Sequence, residues 1–189
     1  LSLKATGGDD KVTLIDNMLI GNVANNVDID LGAGDDEIIT KDLVANKTVT
    51  INGGAGNDLF DVRGSKTDVD ASKYVVIGDV SGGDKIKFDA LVQASGFERI
   101  QDNVVKDATT LKEAINLAIE SNQSASPILN KVFYFTYAGD TYVVHNATST
   151  AVGTPDTLTA ADTVVKLAGV RSDDLILTAD YTEGTLNII

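Results

Sequence analysis

The stretch Gly53-Gly54-Ala55-Gly56-Asn57-Asp58-Leu59-Phe60-Asp61 limits what this chain can fold into more than any other. It fits the nonapeptide GGxGxDxUx, in which U is a large apolar residue. Degraded copies occur at Gly7-Gly8-Asp9-Asp10, at Gly32-Ala33-Gly34-Asp35-Asp36 and at Ser81-Gly82-Gly83-Asp84. Aligned on Asp10, Asp36, Asp58 and Asp84, the copies are separated by 26, 22 and 26 residues. Steps of that size predict a stack with one coil per repeat.

Each coil can be read from its own residues. A run rich in β-branched side chains leaves each glycine turn: 12–15, 37–40, 59–62 and 86–88. A second run enters the next turn: 27–31, 48–51 and 74–77. Their rough alternation predicts half-buried strands. The expected fold is therefore mainly β. A parallel β-roll or β-solenoid with stacked turns spans 1–90, and a small α+β unit spans 91–189. Polar return loops, including Asn17 to Asn26 and Ser65 to Ser72, form the other, less regular edge.

Glycine at such a turn lets the backbone take φ > 0 and aim its carbonyls inward. Ca²⁺ takes six to eight oxygens, and one turn cannot supply them. Two stacked turns can, so four turns predict about three ions in the gaps between them. The expected ligand set is Gly8 and Asp10; Gly32, Gly34, Asp35 and Asp36; Gly53, Gly54, Gly56, Asn57 and Asp58; and Asp79, Gly82 and Asp84. Asp36 and Asp58 face a neighbour on both sides, whereas Asp10 and Asp84 close the ends. Lys11 and Lys85 follow their aspartates directly, which leaves the outer turns open to a purely structural role.

The chain has 189 residues, 43% of them hydrophobic, and a net charge of −13. That charge argues against nucleic acid and against an anionic membrane surface as partners. Many of the carboxylates crowd the glycine turns, where they repel one another without metal. Folding is therefore expected to be coupled to calcium. The chain contains no Cys, and no apolar run reaches the length of a membrane span. Its start, Leu1-Ser2-Leu3-Lys4, is neither an initiator Met nor an export signal and suggests a piece of a longer chain. Three N-x-S/T triplets, at Asn46, Asn122 and Asn146, are near chance frequency and carry no assignment.

Enzyme chemistry finds little support. The chain has one His and no Cys, no His-Glu-x-x-His and no Gly-x-Ser-x-Gly. Asp28/Asp30 and Asp68/Asp70 are carboxylate pairs at strand spacing, which puts each pair on one face. Solvated strand edges explain them better than a glycosidase pair does.

After about Asp89 the texture changes. Thr110-Leu111-Lys112-Glu113 fits a capping box, and apolar residues at 111, 114, 115, 118 and 119 predict a helix over 110–120. Its expected role is to cover the open end of the roll. Ser124-Ala125-Ser126-Pro127 ends the helical pattern. Runs at 131–137 and 141–145 around Ala138-Gly139-Asp140 predict a hairpin. A polar loop from Asn146 to Thr157 precedes strand-like runs at 162–170, 175–177 and 185–189.

Gly53 to Asp61 resembles the repeat of the RTX family, the calcium-binding proteins exported by bacterial type I systems. Ser81-Gly82-Gly83-Asp84-Lys85-Ile86 is similar to that family's last turn. Gly139 to Val144 followed by Asp162 to Val170 resembles the tail of RTX surface-layer and other large exported proteins. The resemblance implies a β-roll that folds in millimolar calcium outside the cell. It also implies a partner, the type I secretion apparatus, reading an uncleaved signal over about Leu175 to Ile189. The implied role is a structural, non-catalytic, secreted module of an S-layer-like surface protein, self-associating in a lattice. The alternatives are the same module on a secreted hydrolase, protease or toxin whose catalytic part lies upstream, and an adhesin that binds a glycan or receptor through the irregular loops. His145 stands where many such tails carry an acidic residue, so no calcium is expected there.

Overall fold

The computed structural model describes residues 1–15, 27–41, 48–89, 97–122, 131–147 and 156–189. The Asn17 to Asn26 loop, Asn46, the helix breaker at 124–127 and most of the 146–157 loop lie outside the described residues. The chain lays its first strands alternately into two sheets. β1 (Ser2–Lys4) enters the first and β2 (Lys11–Ile15) the second; β3 (Val27–Asp30) and β4 (Glu37–Lys41) repeat the alternation. So do β5 (Val49–Asn52) and β6 (Leu59–Asp61), then β7 (Val75–Asp79) and β8 (Lys85–Lys87). Each glycine turn joins a strand of the first sheet to the next strand of the second.

The strand register carries the sequence repeat. In the first sheet Ser2 pairs with Asp28, Asp28 with Thr50 and Thr50 with Val76, all parallel. In the second, Lys11 pairs with Glu37, Glu37 with Leu59 and Leu59 with Lys85. Both series reproduce the spacing of the aspartates. Period-2 alternation then buries one side of each strand. Ile29, Ile51 and Ile77 of the first sheet and Ile38, Phe60 and Ile86 of the second share one core, each 2% exposed or less.

The second half extends the same two sheets. β9 (Phe97–Arg99), the short helix α1 (Asp102–Val105) and helix α2 (Leu111–Ser121) come first. β10 (Lys131–Tyr137) and β11 (Asp140–Asn146) form the expected hairpin, followed by β12 (Thr163–Leu167), β13 (Leu177–Asp180) and β14 (Thr185–Ile188). The first sheet runs β1-β3-β5-β7-β12-β11-β10-β9 and the second β13-β14-β8-β6-β4-β2. The fold is thus mainly β with two sheets rich in parallel pairs. Val165 and Leu167 of β12 and Leu186 and Ile188 of β14 complete the inter-sheet core.

Three local expectations need correction. The open ends of the parallel strands are covered by β12, parallel on β7, and by β14, antiparallel on β8. Helix α2 instead lays Ala114, Ile115, Ala118 and Ile119 on Phe133, Phe135, Tyr142, Val144 and Val164, the outer face of the first sheet. A hairpin buried on both faces needs a second cover, and the helix supplies it. At its start the Thr110 hydroxyl accepts from Glu113 N at 3.2 Å, as a cap should. The Glu113 carboxylate, however, reaches Thr109 N at 2.8 Å, one residue before the capping-box position. The hairpin turn is Ala138-Gly139 alone, with φ 52° and 91°. Asp140 already belongs to β11. Positive φ at both central residues matches the twist of the flanking strands.

Candidate metal centre

The four glycine turns stack in one column, held by two ladders of backbone amides on carboxylates. In the inner ladder Asp10 N donates to Asp36 Oδ1 (2.8 Å), Asp36 N to Asp58 Oδ1 (2.9 Å) and Asp58 N to Asp84 Oδ1 (2.9 Å). The outer ladder runs the other way. Asp35 N donates to Asp9 Oδ1 (3.0 Å) and Asn57 N to Asp35 Oδ1 (2.9 Å). A carboxylate receiving a backbone N–H is a strong, charge-assisted acceptor. The turns are therefore tied by side chains as well as by strands.

Close approach of neighbouring turns explains the glycines. Gly54 has φ 99°, and a Cβ there would overlap the carbonyl of Gly32. A Cβ on Gly56 would overlap the carbonyl of Gly34, and one on Gly34 would overlap that of Gly8. Gly53 leaves room for a different group, the Asp58 carboxylate of its own turn.

Asp36, Asp58 and Asp84 are each 2% exposed, yet their second oxygens differ. Asp84 Oδ2 accepts from Ser81 N (2.7 Å) and from the Ser81 hydroxyl (3.3 Å). The positions equivalent to Ser81 are Ala55 and Ala33, which offer no hydroxyl. Among the described residues, Asp36 Oδ2 and Asp58 Oδ2 are buried with no hydrogen-bond partner. Burial, with smaller contributions from Asp84, Asp36 and Asp79, pushes the Asp58 carboxyl up to about 6 against the lowering effect of its bond from Asp36 N.

The expected ligands thus divide. Gly32, Gly34, Asp35, Asp36, Gly53, Gly54, Gly56, Asn57 and Asp58 come together at the second and third turns. Gly8 and Asp10 form the first turn, where the Asp10 carboxylate accepts no hydrogen bond among the described residues. Asp79 joins the third turn, with its two oxygens on Gly53 N and Gly54 N at 2.9 Å each. Gly82 and Asp84 lie against β14: Gly83 N donates to Ile188 O, and Ile188 N to Asp84 O, both at 2.9 Å. Sequence reading left out Asp9, although its alignment with Asp35 was the available signal.

Among the described residues no group of three or more His, Cys, Asp or Glu side chains is placed to hold a metal. A cation here would have to draw on backbone carbonyls as well as on Asp36 and Asp58. That donor set is all oxygen, which fits a hard cation of the Ca²⁺ or Mg²⁺ type and offers nothing to a metal that prefers nitrogen or sulfur.

Other singled-out residues fall elsewhere. Asp28 and Asp30 lie on β3 and face outward, as expected. Asp68 and Asp70 lie in a turn rather than on a strand. Asp68 accepts from Ser72 N (2.6 Å), and Asp70 pairs with Lys112 (3.0 Å). The Ser65 to Ser72 loop is anchored by buried Ser65, Thr67 and Ala71, with Thr67 N on Asp162 O at 2.9 Å. Among the described residues no helix is long and apolar enough to cross a membrane. No protein-family model matches the chain, and no curated protein does either.

Proposed function

We propose that this chain is a calcium-binding module that folds on calcium, with a structural role in a secreted, S-layer-like bacterial surface protein. The supporting observation is the pair of buried carboxylate oxygens, Asp36 Oδ2 and Asp58 Oδ2, that have no partner among the described residues and lie in the middle of the glycine-turn column. An ionised oxygen buried without a partner destabilises a fold by several kcal/mol. A hard cation held by Asp36, Asp58 and glycine carbonyls removes that penalty. When bound, Ca²⁺ neutralises the crowded carboxylates and cross-links successive turns. Asp84 has both oxygens engaged inside the protein, so the fourth turn has least to offer a cation. On this basis the two parallel-rich sheets and their turn column form a β-roll.

Linkage turns binding into folding. A site that exists only in the native state stabilises it by about 2.7 kcal/mol at one hundred times Kd. Extracellular calcium modules bind at roughly 10⁻⁴ to 10⁻³ M, so such sites fill outside the cell and empty inside. Residues 175–189 would be the segment read by a type I export apparatus. Leu177, Leu186 and Ile188 are core residues, so that reading requires a chain not yet folded.

The test is a calcium titration of the chelated protein, followed by circular dichroism and calorimetry. A rise in β-signal with two or three ions bound, not reproduced by magnesium, is the expected result. An unchanged spectrum with no heat of binding would sink the proposal and leave the turns as structural corners.

A further inference from the structure

The two outer sheet faces carry charges that the fold leaves uncompensated. On the second sheet, Lys85 and Lys87 project outward from β8 and form no ion pair among the described residues. Their row neighbours explain why. Lys85 lies between Leu59 and Asn187, which carry no charge. Lys87 lies between Thr185 and Asp61, and Asp61 is already taken by Arg63 through two short contacts, Nε at 2.8 Å and Nη2 at 2.6 Å. Half-buried Ile39 and Leu59 form an apolar strip beside these lysines. In a chain of net charge −13, this face keeps two lysines with no ion pair among the described residues, beside the Lys11–Glu37 and Arg63–Asp61 pairs.

The opposite face, on the first sheet, carries Asp28 and Asp30. Asp28 is exposed, with no hydrogen bond or ion pair among the described residues. Among the described residues the Asp30 carboxylate meets only Lys4, at 2.7 Å, and both side chains are well exposed, so that pair is easily exchanged. Asp28 and Asp30 are two residues apart on one strand, and so are Lys85 and Lys87. Both pairs therefore have the same spacing of about 6.6 Å. That common spacing along the strand lets two carboxylates meet two ammonium groups in register.

We propose that copies of this chain stack face to face, the Lys85/Lys87 face of one on the Asp28/Asp30 face of the next. The inference rests on the reading of the chain as part of a surface assembly and names its contact. The two patches lie on opposite sides of one two-sheet body. The contact is therefore heterologous and builds an open stack instead of a closed dimer. Paired charges at such a contact set register and partner choice more than raw affinity.

Sedimentation velocity in millimolar calcium, over a range of protein and salt concentrations, tests this. Wild type should associate more with concentration and less with salt. The variants K85E/K87E and D28K/D30K should each lose association, on the order of tenfold or more. An equimolar mixture of the two should regain it, because each acidic face then meets a basic one. Circular dichroism of each variant separates lost association from lost folding. A mixture that stays monomeric, a variant that associates like wild type, or a wild type that is monomeric throughout overturns the inference. So does a monomer that binds polygalacturonate through Lys85 and Lys87, which would assign the face to an anionic glycan. A chain that folds on calcium but does not stack overturns only this inference. One that stacks without responding to calcium overturns only the metal proposal.

Discussion

Asp58 and His145 are both buried, and their titrations push stability in opposite directions. The Asp58 carboxyl is raised to about 6, chiefly by burial. A raised carboxyl binds its proton more tightly folded than unfolded. The stability it contributes is full below about pH 4 and lost as pH rises through about 6. The metal-free protein should therefore be less stable at pH 7 than at pH 5 on this account. Asp58→Asn should remove that slope in urea melts, and an unchanged slope would contradict the assignment. Asp58→Ala should also reduce the number of ions bound in calorimetry. Asp140→Ala should leave it unchanged, because Asp140 serves Gly169 N and Lys166. Equal losses in the two variants would mean that the turns are not the site. His145 is 1% exposed against Phe88, and neither ring nitrogen has a partner among the described residues. Burial, with Lys66 adding to it and Asp89 opposing, lowers its pKa to about 4. Its stabilising contribution is full above about 6.5 and fades as pH falls toward 4, by up to roughly 3 kcal/mol. His145→Phe should be less sensitive to acid than wild type by about that amount, measured as the difference in unfolding free energy between pH 7 and pH 4.5.

At the scale of elements, the glycine turns and the strands they join form one unit. Gly56→Ala forces a Cβ into the Gly34 carbonyl, so the second and third turns must part. The expected loss is about 2 kcal/mol or more, with weaker calcium binding, because both the backbone conformation and the close approach are violated. Thr110→Ala removes only a cap and should lower stability by about 1 kcal/mol with calcium stoichiometry untouched. Denaturant melts paired with calorimetry separate the two kinds of damage. The strands next to glycine turns were legible because β-branched alternation and turn residues agree there. β9 and α1 were not, since three or four residues show no period. Asp68 and Asp70 misled for a related reason: spacing two fits a strand only where pairing partners exist, and Asp68 bonds back to Ser72 instead.

At the scale of the whole molecule, the second half proves to be an extension of both sheets. β7 and β8 would otherwise end as bare edges open to other chains. β12 and β14 take those positions, and the inter-sheet core runs on through them. Leu186→Ala should therefore disturb both halves together. One cooperative unfolding transition is expected, lowered by about 2–5 kcal/mol. Two separated transitions in calorimetry would show instead that the halves fold independently.

The repeat was legible in the chain alone: the 26, 22 and 26 steps are also the register of both sheets, because strands that leave stacked turns at the same position pair at the spacing of those turns. The same alignment places the glycines and, Asp9 apart, the aspartates that share a column. Which carboxylates keep an oxygen free came from the folded packing. Asp84 is satisfied locally, by Ser81 three residues before it. Its turn, however, is closed by Ile188, and Asp79 reaches back to Gly53, both distant in sequence. Among the described residues Asp36 Oδ2 and Asp58 Oδ2 find no partner. The helix likewise carried its own start signal at Thr110, but the face it covers was set by a hairpin whose second side had no other cover. Local periodicity fixes an element, whereas its place depends on which apolar surface the rest of the fold leaves exposed.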